Sequence, residues 1–238
     1  MLRRKKHAVI LKHIPKKEFT ILIGARQIGK STLLKQLFED LKQKEETVYF
    51  LNLDKKDILD ELNQNPENIF KMCPLLPNKK IIVFIDEIQY LDDATTFLKL
   101  LFDEYSNKLK IVATGSSAFY IDRQFNDSLV GRKKIFQMST LDFEEFLLFK
   151  GRAVLVKEIT ELLTKKKSKS IQENVLWAFM DEFMNYGGYP AVVLENNFEE
   201  KIELLKEIRD SYVKRDVLES GIIDEGKFYR MLMLLASQ

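Results

Sequence analysis

Eight consecutive residues constrain this 238-residue chain more than any others. Gly24-Ala25-Arg26-Gln27-Ile28-Gly29-Lys30-Ser31 satisfies G-x-x-x-x-G-K-[ST] at every fixed position. The stretch follows a β-rich apolar run, Phe19 to Ile23, and opens an amphipathic one, Lys30 to Lys44, so it joins a strand to a helix as the pattern requires. Glycine at positions 24 and 29 admits backbone angles closed to other residues, and successive N–H groups then turn inward. Those donors, including the amides of Ala25 and Ile28, and the positive helix end form a nest for the β- and γ-phosphates of a nucleotide. Lys30 adds a point charge, the Ser31 hydroxyl is placed for Mg²⁺, and Thr32 falls near an α-phosphate. Arg26 and Gln27 either position phosphate or water or pack over the loop.

A second motif belongs with the first. Ile81-Ile82-Val83-Phe84-Ile85 reads as a buried strand that ends in two acids, Asp86-Glu87. Two carboxylates at a buried strand end are costly without a cation. In open α/β sheets ligands sit outside the carboxyl ends of strands, where the phosphate loop also lies. Asp86 is then expected to hold the water shell of Mg²⁺ opposite Ser31, and Glu87 to polarise a water for attack on a γ-phosphate. Capping of a following helix is the plainer alternative. Thr114-Gly115-Ser116-Ser117 closes another strand; its hydroxyls, Ser116 among them, either sense the γ-phosphate or hold the attacking water, or Ser116 or Ser117 caps the next helix. Arg132 either supplies charge to a transition state, in cis or from a neighbouring subunit, or forms a surface ion pair.

The rest of the chain supplies the frame. Strands are expected at Phe19–Ile23, Thr47–Leu51, Lys80–Ile85, Lys110–Ala113 and Lys134–Met138, continuous rather than alternating, as in a sheet covered on both faces. Lys30 to Lys44 places Leu33, Leu34, Leu37, Phe38 and Leu41 on one helical face, and Thr95 to Tyr105 repeats the pattern. Strand–helix alternation implies a parallel α/β sheet. From residue 141 only helices are read: Leu141–Lys150, Val154–Lys165, Gln172–Tyr186, Phe198–Glu219 and Lys227–Ala236, with Lys165 to Ser170 as an exposed basic loop. Trp177, Phe179, Phe183 and Tyr186 at helical spacing read as helical-domain core before they read as a base-stacking surface. Gly187-Gly188-Tyr189-Pro190 reads as a turn that positions the next helix. His13 is placed near an adenine by its position upstream of the loop. Arg215-Asp216 is either an ion pair or an inter-domain sensor.

Charge and cysteine content narrow the class. Lys and Arg number 38 against 36 Asp and Glu, a formal charge of +2, too balanced for a tail-driven nucleic-acid binder. Cys73 is the only cysteine, which excludes an internal disulfide and a cysteine metal cage and suits a reducing cytoplasm. No apolar run approaches the ~20 residues needed to span a bilayer, and Ala8–Leu11 is too short for a signal segment, so no membrane partner is expected. Arg3 to Lys6 reads as a solvated amino terminus, or otherwise as a phosphate-contacting arm.

In this order the phosphate loop, Phe84-Ile85-Asp86-Glu87-Ile88-Gln89, Thr114 to Ser117, Gly131-Arg132 and Leu141-Asp142-Phe143-Glu144-Glu145-Phe146 resemble a prokaryotic AAA-type ATPase family near the STAND class of signalling NTPases. The similarity continues through Gly187 to Pro190 and Tyr212 to Val217. It implies an α/β P-loop NTPase core of the additional-strand (ASCE, AAA-like) type, strand order 5-1-4-3-2, over residues 1–140. A smaller all-helical domain follows over 141–238. It implies ATP/ADP and Mg²⁺ as cofactors, Lys30, Glu87 and Arg132 as catalytic candidates, Gly24 to Thr32 with Ser116 as the nucleotide contacts, and Ser31 with Asp86 at the metal. Relatives continue into a winged-helix-like segment; Lys227 to Gln238 resembles its first helix, so the native chain is expected to run on. The reading is a Mg-dependent ATPase whose hydrolysis switches the angle between core and helical domain, with DNA, a protein or a second copy as candidate partners. The alternative is a nucleic-acid-binding module that uses ATP as a regulatory ligand. A small-molecule kinase lacks its arginine-rich lid here, and no guanine-reading Asn-Lys-x-Asp is present, which favours ATP.

Overall fold

The computed structural model describes residues 2–115, 129–164, 173–212 and 225–236. Ser116, Ser117, Lys165–Ser170, Arg215 and Asp216 lie outside them. Five parallel strands form one sheet: β1 (Phe19–Ile23), β2 (Val48–Asn52), β3 (Ile81–Asp86), β4 (Leu109–Gly115) and β5 (Lys133–Gln137). Their order is β2-β3-β4-β1-β5, read from the other edge the expected 5-1-4-3-2. Burial explains the composition. The central β1, β3 and β4 are buried along their whole length and are almost wholly apolar. The edges β2 and β5 are half-exposed and carry Tyr49, Lys133 and Lys134. β4 extends past the expected Ala113 because Thr114 and Gly115 still pair with Leu22 and Ile23 of β1.

Helices cover both faces. Alternate side chains of the strands, Ile21, Val83, Ile111 and their neighbours, meet α3 (Lys56–Gln64), α4 (Ile69–Met72) and α5 (Ala94–Tyr105) in one core with Phe97, Leu98 and Leu101. On the other face lies α2 (Lys30–Gln43), whose Phe38 ring packs edge-on against Phe50 and Phe84, 5.6 and 5.8 Å away. Beside α2 runs α1 (Lys5–His13), a helix hidden in the sequence by its lysines. His7, Ile10 and His13 recur every third residue and are buried, while Arg3 and His7 both reach Asp40 of α2. The amino terminus is therefore a packed element and not a solvated arm.

The chain divides into two compact units, Met1–Glu145 and Phe146–Gln238, and α6 (Phe143–Phe149) begins in the first and ends in the second. Asp142 and Glu145 form a capping box at its start: the Glu145 N–H donates to Asp142 Oδ1 at 2.8 Å, and the Asp142 N–H to Glu145 Oε2 at 3.4 Å. The second unit continues with α7 (Ala153–Leu163), α8 (Glu173–Tyr186), α9 (Pro190–Leu194), α10 (Phe198–Tyr212) and α11 (Glu225–Ala236). Pro190 occupies the first turn of α9, directly after the Gly187–Tyr189 turn. Glu182 of α8 accepts Nζ of Lys150 at 2.9 Å and of the buried Lys201 at 3.1 Å, which ties α8 to α10 and to the end of α6. Phe179 and Phe183 pack on Phe146, and Tyr186 stacks on Phe198, as helical-core aromatics should. Trp177 departs from that expectation: it is 64% exposed.

Candidate active site

The phosphate loop is shaped by one cramped glycine and two left-handed residues. A Cβ on Gly24 would stand 2.4 Å from the Met138 carbonyl oxygen and 2.6 Å from the Ile28 side chain, so only glycine lets the loop pass the segment after β5. Gln27 (φ 59°) and Gly29 (φ 90°) then reverse the chain into α2, with Gly29 as N-cap. Lys30, almost fully buried, folds its ammonium back onto the loop and donates to the carbonyls of Gly24 at 3.0 Å and Ala25 at 2.7 Å. Among the described residues the buried Nε of Arg26 has no hydrogen-bond partner.

Ser31, in the first turn of α2, donates to Oδ1 of Asp86 at 3.0 Å. Asp86 ends β3 and is buried, and its Oδ1 also accepts the Thr114 hydroxyl from the end of β4. The sheet thus brings together three residues that are 31, 86 and 114 in sequence. Glu87 follows in a left-handed conformation (φ 61°), its N–H donating to Thr114 Oγ1 at 3.1 Å and its Oε2 accepting the Gln89 side-chain amide. A positive φ at a non-glycine residue is a strained geometry that surrounding contacts must hold. The Thr114 hydroxyl, one of those expected to sense the γ-phosphate or hold the attacking water, bonds Asp86 and accepts from the Glu87 backbone, as its place at the carboxyl end of the strand beside β3 allows.

Sequence reasoning missed the buried role of Arg4. That side chain is 7% exposed and all three of its nitrogens are used. Nε donates to Glu145 Oε1 at 2.9 Å, Nη1 to the Ile28 carbonyl at 2.8 Å, and Nη2 to the carbonyls of Ser139 at 2.9 Å and Thr140 at 3.2 Å. Ile28 C=O and Gly29 N–H belong to one planar trans peptide and point opposite ways. Holding that carbonyl therefore turns the Gly29 N–H away from Arg4, and the neighbouring positive charge makes it a better donor.

Two residues stand elsewhere. Arg132 precedes β5, at the amino end of the sheet, where its backbone carbonyl accepts from Phe19 N–H. Its guanidinium makes a two-pronged ion pair with Asp103 of α5, 2.6 and 3.2 Å, and the carboxylate raises its pKa. β1 runs about 17 Å from that end to the phosphate loop, so action in cis on a γ-phosphate is ruled out. His13 is likewise not beside a nucleotide base. It hydrogen-bonds Thr20 near the start of β1 at 2.8 Å and meets the Phe136 ring edge-on. Burial first, then Lys110, push its pKa down to about 4.

Residues 16–147 match the model of an AAA domain family, and residues 179–238 that of a domain of unknown function. The chain is 31% identical over 226 residues to the uncharacterized protein MJ1544 of Methanocaldococcus jannaschii, covering 93% of this chain and 46% of that protein. With MJ1637 of the same organism it shares 28% over 238 residues, covering 93% and 49%. The chain thus spans about half the length of these curated relatives. Among solved structures, the replication initiator DnaA bound to AMPPCP and single-stranded DNA aligns with a TM-score of 0.51 at 14% identity, over 92% of this chain and 69% of that one. That likeness concerns the fold. Among the described residues no helix is long and apolar enough to cross a membrane.

Proposed function

The chain belongs to the AAA domain family, and from that premise we propose that it is a Mg²⁺-dependent ATPase of the cytoplasm whose turnover drives a conformational switch passed along α6 to the helical unit. The observation that carries the reading is the Ser31–Asp86 contact at the mouth of a loop whose lysine already faces inward. Two hard oxygen donors 3.0 Å apart have the spacing of neighbouring vertices of an octahedron with ~2.1 Å bonds, which is what Mg²⁺ requires. Ser31 and Asp86 would hold that ion, and it would supply neutralisation of phosphate charge.

The remaining chemistry falls to side chains of this chain. Lys30 and the loop amides bind the β- and γ-phosphates, with Thr32 near the α-phosphate. Glu87 takes a proton from the attacking water as the water oxygen bonds the γ-phosphorus; the bond from that phosphorus to the β,γ-bridging oxygen breaks, and ADP and phosphate leave. Thr114 holds the Glu87 backbone, and Gln89 occupies its carboxylate until water and nucleotide compete for it. Arg132 acts on a nucleotide only from a neighbouring copy, and only after leaving Asp103.

The test is steady-state phosphate release beside nucleotide binding. Lys30→Ala is expected to lose binding, and Glu87→Gln to bind ATP and stall. Equal turnover in Glu87→Gln and the parent would remove Glu87 from the reaction.

A further inference from the structure

The amino ends of the strands carry a feature that no nucleotide chemistry uses. Four neighbouring strands, β3-β4-β1-β5, each start at or next to lysine: Lys79 and Lys80 before β3, Lys108 before β4, Lys16 and Lys17 before β1, and Lys134 as the second residue of β5. These segments lie far apart in sequence, and the parallel register alone aligns them; Ile81 N–H bonds the Lys108 carbonyl, and Phe19 N–H the Arg132 carbonyl. Only β2 breaks the pattern, with Glu45 and Glu46 before it at the outer edge.

Among the described residues no carboxylate lies within ion-pair distance of these six lysines. Five are exposed and Lys80 is half-buried. Lys79 spends its ammonium on a backbone carbonyl, that of Glu45, which leaves its charge uncompensated. The charges feel one another: after burial, Lys17 depresses Lys80, Lys80 depresses the buried Lys110, and Lys16 and Lys134 depress His13. Glu18, just before β1, offsets part of this charge through space, and Asp103 is taken up by Arg132, so the six lysines outnumber the acids beside them and their mutual repulsion adds nothing to stability.

We infer that this lysine strip is a binding surface for the phosphate backbone of a nucleic acid, on the opposite end of the sheet from the nucleotide site. Strands ~4.8 Å apart set a strip about 14 Å wide, and one strand of a duplex carries a phosphate each 3.4 Å along its axis, so the strip faces about four phosphates. Lysines are point charges without a directional fork, which suits sequence-independent contact with a regular polyanion. A bilayer is the poorer fit, because the described part of this unit exposes only Leu2, Val9 and Val130 as large apolar side chains. The inference stands apart from ATP hydrolysis and requires no nucleotide.

The test is fluorescence anisotropy of a labelled 30-base-pair DNA duplex, a matching RNA duplex and a single strand, each without nucleotide, at 50 to 200 mM salt. Four phosphate contacts predict a log–log salt slope near −3.6, a fall in affinity of about 150-fold over that range. Charge reversal of Lys16, Lys17, Lys80 and Lys134 to Glu is expected to weaken binding at least 100-fold at 50 mM salt and flatten the slope by about 3. Reversal of Lys35, Lys42, Lys157 and Lys206, exposed elsewhere, should change it less than threefold. Thermal melts confirm that both variants fold. The inference is overturned if the parent binds none of the three probes, if it binds vesicles of anionic lipid but no nucleic acid, or if the two variants lose affinity equally.

Discussion

Arg4 joins three segments that the sequence keeps far apart, and removing it has a calculable consequence. Arg4→Met keeps most of the side-chain volume but strips the counter-ion from Glu145, which is only 4% exposed. It also strips the donors from the carbonyls of Ile28, Ser139 and Thr140. Breaking one partner of a buried pair costs ~3–5 kcal/mol, most of it the penalty for the charge left behind. With a urea slope of ~2 kcal/mol/M, that shifts the unfolding midpoint of this unit down by roughly 1.5–2.5 M. Arg4→Met/Glu145→Met removes the stranded charge as well, so it should be more stable than Arg4→Met alone, although it loses the α6 capping box, worth ~1 kcal/mol. Equilibrium urea titrations by circular dichroism on the parent, both singles and the double give the coupling energy. A loss below 1 kcal/mol in Arg4→Met, or a double variant that loses the sum of the singles, would refute the claim that Arg4 clamps the loop.

Other outcomes follow from the same geometry. Gly24→Ala forces a methyl against the Met138 carbonyl, so it should cost ~1–3 kcal/mol and weaken nucleotide binding; a thermal melt and a binding titration check both. Cys73 is buried with its pKa pushed up to about 12, so an aromatic disulfide reagent at pH 8 should react slowly with folded protein and completely in denaturant. His13 has a folded pKa of about 4 against 6.5 unfolded, so the folded state binds fewer protons between those values. Its contribution, at most about 3 kcal/mol, is present above pH 6.5 and lost as the pH falls to 4; urea midpoints at pH 7 and 4.5 should differ less in His13→Gln.

How much of this was legible in the sequence depends on how local the signal is. The phosphate loop and the Asp86-Glu87 pair are contiguous strings bounded by unbroken apolar strands, and the strands appear within a residue or two of their expected places. α1 was hidden because Lys5, Lys6 and Lys12 mask a buried face of His7, Ile10 and His13. The Arg4–Glu145 pair spans 141 positions and has no local signature. Arg132 is drawn toward the nucleotide by the charge an arginine can give a transition state, and His13 by its position just upstream of the loop. Both precede strands, whereas ligands in open α/β sheets gather where strands end. The same asymmetry conceals the lysine strip, since only the parallel register brings its members side by side.

The central claim is that residues 24 to 32 grip a nucleoside triphosphate with Asp86 and Ser31 at its metal. Isothermal calorimetry of the folded protein with MgATP addresses it most directly. The account predicts one site per chain, abolished in Lys30→Ala and weakened when Mg²⁺ is chelated. Absence of heat with any Mg²⁺–nucleoside triphosphate, or undiminished binding in Lys30→Ala, would contradict it.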